Sequence, residues 1–183
     1  MFPSLAVLAL LAAGAPEPQA YSVDAARSTI TYHLHHKLHA ADGRSSSIEG
    51  KAVVQPDGKV LAMVRVPVSS FDSGDANRDS NMRDTLQAAR HPFVVFKGVT
   101  SLVLPASHGK AIPATLAGEL EFHGVKHALE VPVTLQFADD GSASVKGKVN
   151  VSLEAHGIAR PSLLMIKVDD ALGVEFDLKL RRG

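Results

Sequence analysis

The chain has 183 residues, which fits one domain, with 45% hydrophobic and 21% charged residues, inside the ordinary globular range. Lys+Arg and Asp+Glu both number 19, so the formal net charge is zero, and no clustered cations offer the phosphate-tracking surface that nucleic acid requires. Cysteine is absent, which excludes disulfides and a thiol-linked lipid anchor and leaves packing alone to hold the fold.

The chain opens on the uncharged apolar run Leu5–Ala13, of signal-peptide length and too short to cross a bilayer core of about 30 Å as a helix. Small and turn-forming residues follow, with Gly14, Ala15, Pro16, Pro18 and Ala20. The pattern predicts a signal peptide over 1–20, cleaved between 14 and 20, and a mature domain over 21–183 in the periplasm or outside the cell. No second long apolar segment exists, so no integral membrane segment is expected in the mature form.

From there a period of two dominates. Ile30, Tyr32 and Leu34 alternate with Thr31 and His33, and Val60, Ala62, Val64, Val66 and Val68 alternate with Leu61, Met63, Arg65 and Pro67. Leu172, Val174, Phe176, Leu178 and Leu180 form the clearest strand. Further strands are expected near 46–55, 93–104, 114–122, 128–137 and 143–153. Turn chemistry separates them at Gln55-Pro56-Asp57-Gly58, His123-Gly124 and Asp139-Asp140-Gly141. One helix is expected, capped by Asp79 or Ser80 and running to about Ala89, with Met82, Leu86 and Ala89 on one face and His91-Pro92 as its stop. Arg160-Pro161 and the stretch to Asp170 read as a longer loop. About eight antiparallel strands at regular spacing, with one short helix, predict an all-β fold, a sandwich or a barrel. The interior of a barrel of this size is either filled by side chains or wide enough for one small ligand.

Six segments resemble, in order, the YceI-like family of periplasmic lipid-binding proteins. They are Ile30-Thr31-Tyr32-His33-Leu34 with His36, Ser70-Phe71-Asp72-Ser73-Gly74, Asn77-Arg78-Asp79, Met82-Arg83, His91-Pro92 with Phe96-Lys97, and Gly118-Glu119-Leu120-Glu121-Phe122 with His123-Gly124-Val125-Lys126. The resemblance covers essentially the whole mature chain. It implies a single elongated, lipocalin-like antiparallel barrel of about eight strands with one short helix over one side, and a polyisoprenoid, an isoprenoid quinone or a similar long-chain amphiphile along the axis. Leu153-Glu154-Ala155-His156-Gly157 departs from the family's R-s-D-F-G, and aromatic residues are missing between Arg83 and His91.

Holding a long apolar molecule requires a dry cavity, because burial of apolar surface contributes about 25 cal/mol per Å². The inward members of the strands are the candidate ligand contacts: Ile30, Tyr32, Leu34, Val66, Val68, Val94, Phe96, Leu120, Phe122, Val133, Leu135 and Phe176. The same residues would also serve as plain core. Abundant Val and Ala, with Trp absent, favours a hollow interior. Arg78, Asp79, Arg83 and Asp84 read either as caps and surface pairs or as a polar mouth facing a ligand head group.

Two other functions come from different classes. His33 and His35 share a strand face and, with His39, would form a metal-binding cluster, although no HExxH or completing carboxylate accompanies them. Alternatively, exposed apolar residues such as Leu61 and Met63 would dock another envelope protein in a stress response. The pattern also leaves room for a homodimer. Neither a catalytic motif nor a cofactor motif appears: there is no GxSxG elbow and no phosphate-cradling glycine loop, so a binding protein is expected and not an enzyme.

Overall fold

A computed structural model describes residues 17–35, 40–103, 108–160, 162–163 and 166–183. Most of the expected signal peptide, together with His36 and His39, lies outside the described residues. The strands are β1 (Gln19–Val23), β2 (Thr29–His35), β3 (Ala40–Ser45), β4 (Glu49–Val54), β5 (Lys59–Pro67), β6 (Phe93–Ser101), β7 (Ala111–Phe122), β8 (Val125–Phe137), β9 (Ala143–Ser152), β10 (Ser162–Leu163), β11 (Ile166–Lys167) and β12 (Ala171–Arg182). The all-β fold expected from the period of two is present, and it is a barrel, as the resemblance implies. Eight strands close it in the cyclic order β1-β4-β5-β6-β7-β8-β9-β12, with β12 returning to β1. The whole sheet has ten strands, not eight, because β2 and β3 are added along β12. Among the described residues no helix is long and apolar enough to cross a membrane.

Each turn does what its residues dictate. His123 and Gly124 both take positive φ, 53° and 76°, the two-residue turn that suits the strand twist, and they join Phe122 to Val125 directly. Gly58 at φ 86° closes the β4–β5 hairpin. The stretch after Arg160 is not a bare loop but carries the short β10–β11 hairpin, with Ile158 and Val168 buried on either side of it.

β1 and β2 run one behind the other along β12, with a 3-10 turn (Ala25–Arg27) between them. Ser28 pins that joint: its hydroxyl donates to the Asp24 carbonyl at 2.7 Å and accepts the Lys179 amide at 2.9 Å. From the joint β1 pairs with β4, whereas β2 pairs with β3, so the wall forks at this end. The arm of β3 is stitched to the segment after β5, with Arg44 and Asp72 exchanging two backbone hydrogen bonds of 2.9 Å.

That segment carries the helix α1 (Ala76–Thr85), which starts earlier than the sequence suggested. Asp75, not Asp79 or Ser80, is the cap, accepting the Asn77 and Arg78 amides at 2.9 and 3.0 Å. Those bonds, the Arg78 amide above all, hold the Asp75 carboxyl below its ordinary value of 3.8. The helix also stops before Ala89, because Gln87 turns to a positive φ of 46°. Arg78 and Asp79 therefore sit inside its first turns and do not precede it. Asp79 is buried, not a surface pair: it accepts the Ser73 amide at 3.1 Å and the Ser73 hydroxyl at 2.6 Å, tying the helix to the strap before it.

Candidate functional site

The inward parity of the strands surrounds a cavity of about 700 Å³, within the roughly 300–1,000 Å³ of small-molecule sites. Its walls come from every strand of the closed barrel, from β2 and from α1. Apolar side chains make up nearly all of the lining, most of them Leu, Val, Ala and Phe.

The hollow has a cause that is visible only once register is known. Ala52, Ala62, Gly98 and Gly118 are successive partners across β4, β5, β6 and β7, and all have the inward parity. One girdle of the barrel is thus built from residues with a methyl group or less. The glycines also let backbones and a ring come close: a Cβ on Gly118 would overlap the Lys97 carbonyl, and one on Gly98 would lie 2.7 Å from the Phe96 ring. Phe96 therefore lies along the wall over Gly98 and leaves the axis open.

Eleven of the twelve residues expected to face a ligand line the cavity: Ile30, Tyr32 and Leu34 on β2, Val66 on β5 and Val68 in the 3-10 turn just after it, Val94 and Phe96 on β6, Leu120 and Phe122 on β7, Leu135 on β8, and Phe176 on β12. Val133 is the exception. It points inward and is buried, but its partner Gly147 lies beneath the Phe176 ring, so this row is packed solid.

The sequence reading missed the contribution of the helix. Arg78, Asn81, Met82, Thr85 and Leu86 all line the cavity, so α1 is a cover whose inner side meets any occupant. Met82 and Leu86 were expected on one face; placing Asp75 as the cap would have added Arg78, Asn81 and Thr85 at helical spacing. Beneath the helix lies Tyr32, tilted against Phe71 with ring centroids 5.5 Å apart. Burial, reinforced by the Asp79 charge, pushes the Tyr32 phenol above 10.0, so it is a neutral hydroxyl at physiological pH.

Histidines gather at the same end of the barrel without forming a reactive group. His156 is buried, packs against Phe122 and His127, and its Nδ1 lies 2.9 Å from the Ser152 carbonyl. His127 Nε2 lies 2.6 Å from the Ala155 carbonyl. The side chain of His156, where the family's aromatic would be expected, therefore fills a packing position. Of the metal cluster expected from His33, His35 and His39, His39 lies outside the described residues; His33 Nδ1 lies 2.9 Å from Asp42, and among the described residues there is no group of three ligands that could hold a metal. Leu61 is exposed and faces away from the cavity beside its partner Val99, while Met63 is half-buried.

Comparison with known proteins follows the same lines. The family model described as "YceI-like domain" matches residues 21–180. Among solved structures, a polyisoprenoid binding domain from Saccharophagus degradans, implicated in plant cell wall breakdown, superposes with a TM-score of 0.74 at 17% identity, covering 90% of this chain and 99% of that one. BcnA of Burkholderia cenocepacia gives 0.71 at 21% identity, covering 86% and 98%. A mutant CJ YCEI protein gives 0.61 at 13% identity over 81% and 88%. Among curated proteins nothing matches.

Proposed function

Because this chain belongs to the YceI-like family, we propose that it is an exported binding protein that sequesters or carries a polyisoprenoid or similar long-chain amphiphile in its barrel. One observation carries the reading: an apolar hollow runs through an otherwise well-packed barrel, under a helix that covers one side. Each methylene moved from water into such a space contributes about 0.8 kcal/mol, so a tail of a few isoprene units suffices for micromolar binding even after the cost of association. The polyisoprenoid domain of Saccharophagus degradans supports the choice of ligand class. Its contacts here would be the inward residues already named, together with Met82 and Leu86 from the helix.

Binding of this kind needs no nucleophile and no metal, and the protein acts by burial alone, as a carrier and not an enzyme. Export rests on the apolar run Leu5–Ala13 and the small residues after it. Carriage outside the cytoplasm gives such a protein a purpose, since a prenyl tail cannot cross water unshielded.

The test is direct. Protein purified without detergent is extracted with organic solvent, and the extract is analysed by mass spectrometry. A prenyl-chain lipid at a stoichiometry near one is expected. Recovery of no lipid, together with failure of the protein to take up prenyl lipids added from vesicles, refutes the proposal. Mass analysis of the mature protein reads out export by showing whether the chain begins after Gly14.

A further inference from the structure

Among the described residues three large apolar side chains are exposed, and they stand close together. Leu61 is 41% exposed, its cross-strand partner Val99 is 43% exposed, and Val103, just past the end of β6, is 92% exposed. Pairing extends the first two into an apolar row over the outer wall, Ala20-Val53-Leu61-Val99-Ala117, running from β1 to β7. The row lies toward the end of the barrel away from α1, since the helix follows β5 and precedes β6.

Charge around this row differs from charge elsewhere on the wall. The lysines of β8, β9 and β12 are all paired: Lys126 with Glu119 at 3.2 Å, Lys146 with Asp177 at 3.0 Å, Lys148 with Glu175 at 3.4 Å and Lys179 with Asp177 at 2.9 Å. Lys51, Lys59 and Lys97, the lysines of β4, β5 and β6, are exposed and make no ion pair among the described residues. These three surround the row. Lys51 and Lys97 flank Met63 on one side of it and Lys59 stands on the other, each two residues along its strand and so about 7 Å away. Neighbouring carboxylates leave them uncompensated: Glu119, the register partner of Lys97, is held by Lys126, Asp57 accepts the Lys59 amide at 2.9 Å, and Glu130 stands beyond Ala117 at the edge of the row.

We infer that this face docks the protein reversibly on an anionic phospholipid bilayer, with Lys51, Lys59 and Lys97 on lipid phosphates and Leu61, Val99 and Val103 in the interfacial layer. Long lysine stems lie along apolar surface and carry their ammonium groups to its rim, the arrangement that a charged interface over hydrocarbon accepts. A second copy of the chain fits poorly, because a two-fold contact of the face with itself sets lysines against lysines. The apolar area is also a small part of the roughly 800 Å² that each partner buries in a stable protein interface. This surface lies outside the cavity, so the inference goes beyond the carrier reading and does not depend on it.

The experiment floats the protein with vesicles of phosphatidylcholine alone, or of phosphatidylcholine with one part in three of phosphatidylglycerol, at low and high salt. Binding is expected on the anionic vesicles only, with release by salt. A lysine near such a surface raises partition roughly five-fold, so Lys51→Gln, Lys59→Gln and Lys97→Gln together should lower it about a hundred-fold. Lys146→Gln with Lys148→Gln, which removes paired cations from the other wall, should change it far less. Leu61→Thr with Val99→Thr should weaken binding at low salt as well. Because the chain has no cysteine, an environment-sensitive dye can be placed at Val103→Cys or, on β9, at Asn150→Cys; a blue shift on vesicles is expected at the first position and not at the second. Absence of vesicle binding, equal losses in the two sets of lysine variants, or equal shifts at the two dyes would overturn the proposal. So would a dimer in light scattering that Leu61→Thr with Val99→Thr dissolves while vesicles stay unbound, since the face would then belong to a second copy. Equal thermal melts establish that the variants fold, and none of these outcomes bears on whether a prenyl lipid is extracted from the barrel.

Discussion

Replacing Ala52 by Phe separates a hollow barrel from a filled one by the sign of its effect on stability. Ala52 faces the cavity in the small-residue girdle, with Ala62 as its row partner and Gly50 two residues before it on the same strand. In a solid core an added ring forces neighbours off their rotamers at a cost of about 1–3 kcal/mol. In a hollow of about 700 Å³ it enters free space, and burying the ring contributes up to roughly 2 kcal/mol. For a domain of this length that corresponds to a melting temperature unchanged or raised by up to about 4–8 °C. Binding should move the other way. The ring excludes about six carbons of tail, worth up to about 5 kcal/mol at 0.8 per methylene, and a sliding tail recovers part of it, so a loss of at least ten-fold in affinity is expected. Both quantities are read on lipid-stripped protein, by thermal unfolding and by dye displacement. A destabilised variant that still bound prenyl lipid normally would show that the space is not where the ligand goes.

Gly118→Ala should be among the most damaging single substitutions, at about 3 kcal/mol or more in urea unfolding, because its methyl group meets the Lys97 carbonyl and the Gly98 backbone, which cannot turn aside. Asp79→Ala should cost about 1–2 kcal/mol, and the double-mutant cycle with Ser73→Ala should show positive coupling, since the alanine strands two Ser73 donors; additive single effects would mean the contact holds nothing. Asp75→Asn keeps a capping oxygen but loses the charge. As the folded carboxyl is depressed below 3.8, the wild type's advantage over this variant is present above that pH and disappears as the pH falls through the folded value, a trend that urea midpoints between pH 7 and pH 2.5 would follow; a gap that persists in acid would contradict it. His33→Ala with His35→Ala should leave zinc and copper binding at the level of the wild type in calorimetric titration, since among the described residues no group of three ligands forms; tight binding lost in the variant would contradict it.

The alternation of apolar and polar residues by itself determined β2, β4 to β9 and β12, their inward faces and the turns between them, whereas β1, β3 and the β10–β11 hairpin were not legible in it. A period of two admits one buried face per strand, and Asp-Gly or His-Gly pairs supply the backbone angles a tight reversal needs. Eleven of the twelve inward residues it named line the cavity; Val133 is buried outside that lining, in the row where the Phe176 ring lies over its partner Gly147, a neighbour about which sequence spacing carries no information. The helix was legible as a helix but not in its limits: Asp75 and Asp79 are equally good caps in isolation, and only the burial of Asp79 against Ser73 decides between them. What the tertiary structure alone decided is whether the barrel is empty. Ala52, Ala62, Gly98 and Gly118 are scattered over 67 positions of sequence, and only the register of four strands brings them into one girdle, so the hollow is a property of pairing and not of any segment. The same holds for the helix, whose Asn81, Met82, Thr85 and Leu86 line the cavity only because the tertiary structure lays α1 over one side of the barrel.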